Sequence, residues 1–368
     1  MDKAKLLIVI SALVLISALI FAFLFSPGKV SYSPQETLEQ CNKLVYNGEN
    51  KINMVFFADK ETAGKYSQVL LSTEPFKKNA ASFNFYYIDS FAPECRLYND
   101  IALFCYSREL LKKASSCPND YIIVVQKADK KIRSSSYMNV LSINAQNPIS
   151  VISHEFGHAF ATLADEYVPS KIPKGAENCV SECAKLPEQS TCFLGCSKAD
   201  YYRSVNSGLM RTLSSKSYGV FDEQLIEEKI KKQSVQKITG SAVSEGAPDC
   251  QHEKYYLVEA DYAPGTIIFT SLSIEEGCIG SNGAGPFNYS LLMEDGAIKG
   301  TGEFNSELIF TDAQEEGRQT AEGEAVENKG AFFLKIPVIE KAKSIEISAD
   351  AAKLSVSLEK AGAYPCRQ

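Results

Sequence analysis

Two of the chain's three histidines, His154 and His158, stand four residues apart in His154-Glu155-Phe156-Gly157-His158. That spacing constrains the fold more than any other feature, because a helix puts residues four apart on one face. With both imidazoles on one face a single metal ion can sit between them, and zinc is the ion this pattern typically holds. Glu155, beside the first histidine, then has the place of a base for water at that ion. The flanking residues suit a helix. Asn147-Pro148 offers an N-cap followed by proline at the first helical position. Ile149, Ile152, Phe156, Ala159 and Leu163 recur at three- and four-residue intervals, a core-facing stripe with the histidines off it. The plainer reading of the same residues is a surface helix with two incidental histidines.

A zinc ion that acts on water has three protein ligands and one open position. Asp165 and Glu166 follow the motif. Asp165 is seven residues past His158, about 10 Å along a straight helix. One ion cannot bridge that span, so the helix must end and the chain turn back. Asp165 is the expected third ligand and Glu166 the reserve. The other reading makes both carboxylates partners of the histidine rings. His252, the remaining histidine, reads as a surface residue.

Residues 154–167, HEFGHAFATLADEY, resemble the active-site signature of the IgA-peptidase family of metzincin-like zinc endopeptidases. Residues 72–76 and 83–86 resemble that family's segment between first helix and second strand. Asn206-Ser207-Gly208-Leu209-Met210-Arg211 resembles the methionine turn beneath the zinc, and Tyr218-Gly219-Val220-Phe221 the start of the closing helix. The resemblance spans about residues 50–236. It implies a bound Zn2+, Glu155 as general base, a protein or peptide substrate, Met210 as a hydrophobic floor and Tyr218 as an oxyanion helper. Ala161 and Ala164 stand where metzincins usually carry a glycine and the third ligand; Asp165 is one residue further on.

Residues 52–57, 83–88 and 121–125 are apolar or aromatic runs separated by helix-length segments, and 62–71 has helical character. Strands alternating with helices imply a mostly parallel sheet with right-handed crossovers. Together with the resemblance, this implies an α/β metzincin-like catalytic domain over residues 46–238, with a mixed, mostly parallel sheet and a zinc helix. Residues 137–143, just before the motif, read as a further strand, either a plain edge or one that pairs with an extended peptide. From about residue 240 the texture changes. Runs at 255–258, 266–272, 289–293, 307–311, 332–336, 344–347 and 354–358, separated by Gly, Asn and Asp clusters, predict an all-β sandwich-like domain over 245–368.

Residues 6–25 carry no charge and are long enough to cross a bilayer as a helix. Lys3 and Lys5 before them put the N-terminus inside and the rest outside. The expectation is a single-pass cell-membrane protein with a signal anchor over 1–29 and a stalk over 30–45; a cleaved signal peptide is the alternative. Eleven cysteines in an exported chain imply disulfides. Cys179-x3-Cys183 and Cys192-x3-Cys196 would staple two short antiparallel helices within 176–200 by nested bonds, Cys179 to Cys196 and Cys183 to Cys192; a four-cysteine zinc site is the rival. The other seven cysteines cannot all pair within one chain. A net charge of −7 without a basic cluster argues against nucleic acid, and the chain has no glycine-rich phosphate loop for a nucleotide. The readings that remain are a membrane-anchored extracellular zinc endopeptidase, a metal-binding envelope or adhesion ectodomain without turnover, and a zinc hydrolase acting on something other than peptide.

Overall fold

The computed structural model describes residues 29–32, 38–188, 190–240, 250–263, 265–311, 326–327, 330–349 and 351–358. The first half supplies strands β1 (Lys29–Tyr32), β2 (Asn42–Val45), β3 (Ile52–Phe57), β4 (Phe83–Ile88), β5 (Arg96–Tyr98), β6 (Ala102–Phe104), β7 (Tyr121–Gln126), β8 (Ser135–Tyr137) and β9 (Val140–Asn144). Helices α1 (Lys60–Ser72), α2 (Arg108–Ala114) and α3 (Val151–Ala161) belong to the same half. A hairpin of β10 (Phe193–Cys196) and β11 (Lys198–Arg203) and helix α4 (Val220–Gly240) follow. The second half runs through β12 (Lys254–Ala263), β13 (Thr266–Glu276), β14 (Phe287–Met293), β15 (Ile298–Phe304), β16 (Leu308–Thr311), β17 (Val326–Glu327), β18 (Ala331–Pro337), β19 (Ala342–Ala349) and β20 (Ala352–Ser357).

At the centre, β9, β7, β3 and β4 lie side by side and parallel. Their near-continuous apolar sequences, INMVFF in β3 and YIIVVQ in β7, suit strands covered on both faces. Alternation sends Met54 and Phe56 into one core with α1, α3 and α4, and Val55 and Phe57 into a second core with α2 and the second-half strands. Phe156 of α3 anchors the first core: its ring centre lies 5.1 Å from those of Phe76 and Tyr121 and 4.9 Å from that of Phe160. Antiparallel strands flank the central four, giving the order β17-β16-β8-β9-β7-β3-β4-β2. Two four-stranded sheets, β1-β13-β12-β18 and β15-β14-β19-β20, complete the β structure around the second core.

Several expectations are corrected. The main sheet is mixed, but parallel pairings do not predominate in it, and β16 and β17 of the second half extend it. The second core also runs through both halves. Short alternating runs identify strands but carry no record of their partners, which is why the sequence suggested a separate sandwich. What stands under the motif is α3, a helix against this mixed sheet; a metzincin zinc helix is not shown. The single strand expected at 137–143 is two strands, because Met138 takes φ 52° and folds β8 back on β9 with Tyr137 opposite Val140. Nor do the described residues of 30–45 form a free stalk. Residues 29–32 pair parallel with β13, β2 pairs with β4, and Cys41 is bonded to Cys117. Among the described residues no helix is long and apolar enough to cross a membrane. The expected span at 6–25 lies outside the described residues, and a single-pass anchor is not supported.

Candidate metal centre

Every residue of α3 is buried. The helix starts after a turn at Pro148, with Val151 N–H bonded to the Pro148 carbonyl at 3.0 Å, so the start falls three residues later than the proline suggested. It ends at Thr162, which adopts the left-handed conformation at φ 55° and returns its N–H to the carbonyls of Gly157 and His158. Glycine usually supplies this termination. Here Thr162 makes the turn and Ala161 remains helical.

The turn brings Asp165 back to the two imidazoles. Asp165 Oδ1 lies 3.3 Å from His154 Nε2 and 3.1 Å from His158 Nε2, and the two Nε2 atoms are 3.2 Å apart. Donors held tetrahedrally at zinc–nitrogen and zinc–oxygen distances are about 3.3 Å from one another. The other ring nitrogens are fixed by the backbone: Nδ1 of His154 meets the Leu209 carbonyl at 2.8 Å, and Nδ1 of His158 meets that of Leu163 at 2.6 Å. A carbonyl only accepts, so each Nδ1 carries a proton, and each Nε2, once it carries none, presents its lone pair to a metal. His154, His158 and Asp165 thus form a buried group that can hold a metal ion.

The loop carrying Asp165 is held from several sides. Asn178 accepts from Ala164 N–H at 2.8 Å and donates to the Ala164 carbonyl at 2.9 Å. Ser170 donates to Asp165 Oδ2 at 3.1 Å, and Ser197 to the Asp165 carbonyl at 2.6 Å. Cys179 is bonded to Cys196, and its sulfur lies 3.7 Å from the Asp165 carbonyl. Cys183 is bonded to Cys192. The segment these two bonds staple is not the expected helix pair. It is a single 3-10 turn at Cys183–Lys185 followed by the β10–β11 hairpin, in which Gly195 and Ser197 take positive φ. Three further bonds join Cys41 to Cys117, Cys95 to Cys105 and Cys250 to Cys278, while Cys366 lies outside the described residues.

Below the motif, Met210 is fully buried, and a Cβ on Gly157 would sit 2.7 Å from its sulfur and 3.0 Å from Tyr218 Cε1. Glycine at 157 therefore lets the Met210 turn press against the middle of the helix. Gly208 is needed for the same reason, since a Cβ there would lie 2.4 Å from the Tyr218 carbonyl. The Tyr218 ring is fully buried and its hydroxyl donates to the Ser153 carbonyl, which ties it to the helix. Glu166 bonds through its N–H to the Met210 carbonyl at 2.7 Å, and its side chain is not part of the three-ligand group. His252 is exposed.

Burial disfavours charge on all these groups, and their mutual contacts decide which way each moves. For His154, burial is outweighed by Asp165 and Glu155, which raise its pKa to about 9. His158 moves down, because burial dominates there. Burial works against ionised Asp165, yet the two imidazoles hold its carboxyl below the usual carboxylate range. The pocket therefore favours a negative carboxylate facing positive charge near the Nε2 atoms, the field a cation needs. Glu155, wholly buried, adds to that field. Glu166 is pushed up to about 8 by burial, against the pull of Arg203 and Arg211.

Asn178, Ser170, Ser197 and the carbonyls of Leu163 and Leu209 have no signature in the sequence. Each reaches the site through a loop whose path only the fold sets. Phe310 is another such residue: its ring lies on the His158 imidazole, centre to centre 4.2 Å and 13° from parallel. No protein-family model matches the chain, and no curated protein matches it.

Proposed function

We propose that this protein is a zinc-dependent hydrolase that cleaves peptide bonds. The observation that carries the reading is the convergence of His154 Nε2, His158 Nε2 and Asp165 Oδ1, with both Nδ1 protons set by carbonyls and Glu155 on the same helix. Two imidazoles and one carboxylate make a borderline donor set that suits zinc. Bound there, zinc would act as a Lewis acid towards a carbonyl and make water more acidic. Glu155 accepts the proton of the attacking water and returns it to the leaving amine. Asp165 balances the positive charge of the centre, and Leu209 and Leu163 keep the rings in register through their carbonyls. A metal held only for structure has no need of a buried carboxylate between its ligands, which is why turnover is preferred to an inert metal site. The resemblance of residues 154–167 to the IgA-peptidase signature supports peptide as the substrate class.

The test is hydrolysis of a quenched-fluorescent peptide library by the full chain, folded under oxidising conditions with zinc. Cleavage that disappears in Glu155→Gln, with zinc content unchanged, is the expected result. Equal cleavage by both proteins would remove Glu155 from the chemistry.

A further inference from the structure

The metal-binding side chains are closed in by the chain's own second half. His154 is 2% exposed, His158 3%, and Glu155 and Asp165 not at all. A peptide cannot reach ligands so covered unless something moves. The covering group that touches a ligand directly is Phe310, lying flat on His158.

Phe310 belongs to β16, and the placement of that strand is informative. Without it β8, which packs against α3, would be the open edge of the first-half sheet. An open edge offers unpaired N–H and C=O groups to any extended peptide. Here the edge is taken by Phe310 opposite Ser136 and Thr311 opposite Ser135, in antiparallel register. Among the described residues this ladder has two residue pairs, whereas β7 and β9 pair over five. The Tyr167 hydroxyl, from the loop after Asp165, donates to the Thr311 carbonyl at 3.4 Å, and the Tyr137 hydroxyl to the Ser306 carbonyl at 3.4 Å. The strand is thus tied to the sheet edge, to the ligand loop and to a ligand ring, and its Ile309 is buried in the second core.

We propose that Leu308–Thr311 is a built-in occupant of the peptide-binding edge that restricts access to the metal centre, so that the unaltered chain turns over more slowly than one with the strand displaced. The strand pairs with β8 where an extended substrate would pair, and the site opens when the strand is displaced. This rests on the peptidase reading for the nature of what displaces it, but the cover itself can be measured without turnover.

Three zinc-loaded full-length proteins decide it: the unaltered chain, Phe310→Ala, and Ser135→Cys/Thr311→Cys, in which a cross-strand disulfide ties β16 to β8. Two readouts are taken, the rate at which EDTA strips the zinc and the affinity of the centre for acetohydroxamic acid. Phe310→Ala should lose zinc at least tenfold faster and bind the hydroxamate at least tenfold tighter than the unaltered chain. The tied protein should lose zinc at least tenfold more slowly and bind hydroxamate more weakly. If Phe310→Ala does not fold, the tied protein alone decides, since it keeps the ring in place. Equal stripping rates and equal hydroxamate affinities in the unaltered and altered proteins would overturn the proposal. The expected access pattern with no peptide cleavage by any of the three would support the cover and refute the peptidase reading instead.

Discussion

Asn178→Ala offers a sharp test of how the metal centre is held. Asn178 is fully buried and touches no ligand atom, but its carboxamide clasps the backbone of Ala164, the residue before Asp165, with bonds of 2.8 and 2.9 Å. Removing it deletes these two hydrogen bonds, worth about 1 kcal/mol each, together with its contact to buried Asp222, and leaves buried backbone groups short of a partner, for a total of about 2–4 kcal/mol. That loss falls on the loop that must be ordered for Asp165 to bind. Zinc affinity should therefore drop about 10- to 100-fold, the range in which groups supporting metal ligands act. The molecule supplies its own control. Asn282 clasps Lys335 of β18 in the same way, accepting from its N–H at 2.8 Å and donating to its carbonyl at 2.9 Å. Competition titration against a chromogenic chelator, with urea unfolding in parallel, separates the two roles. Both alanine variants should lose stability, and only Asn178→Ala should lose zinc affinity. Equal zinc affinity in the two would refute the idea that the Ala164 clasp positions Asp165.

Other outcomes follow from the same structure. Asp165→Ala should abolish stoichiometric zinc binding and Glu166→Gln should leave it intact, as read by metal analysis after gel filtration; the reverse pattern would exchange ligand and reserve. Gly157→Ala should destabilise by about 1–3 kcal/mol in thermal unfolding, although alanine ordinarily favours a helix, because its methyl meets the Met210 sulfur at 2.7 Å. Lys335 is buried, and burial lowers its pKa from 10.5 to about 7. Below about pH 7 it is charged in both folded and unfolded chains, and the full cost of burying the charge is present. Between about 7 and 10.5 the unfolded chain holds the proton that the folded chain has lost, so stability rises with pH. Relative to Lys335→Met, the unaltered protein should gain at most ~4 kcal/mol between pH 7 and 10, at about 1.4 kcal/mol per unit. A flat difference in urea unfolding would show that Lys335 keeps its ordinary pKa.

What could be read in the sequence and what could not divide along physical lines. β3, β4 and β7 are near-continuous apolar and aromatic runs with no rival period, so their bounds were legible almost to the residue. The helix under the motif was legible from its stripe, and the return of Asp165 from the reach of a single ion. The means of that return was not, because Thr162 has no sequence mark of a left-handed residue. Met138 hid the turn between β8 and β9 for the same reason. β15, with the sequence IKGTGEF, lacks the apolar alternation that reveals a half-buried strand. Most consequential was β16. Its apolar run marked a strand, but nothing local says that it leaves its neighbours to lie beside β8 and cover His158.

The most direct measurement is the zinc content and casein hydrolysis of the full chain, folded under oxidising conditions, beside Glu155→Gln, each also prepared with Phe310→Ala to uncover the centre. One zinc per chain in all four proteins, with cleavage in those that keep Glu155 and none in those that lack it, is the expected result. Absence of bound zinc, or cleavage indifferent to Glu155, would contradict the assignment of this site as a zinc peptidase centre.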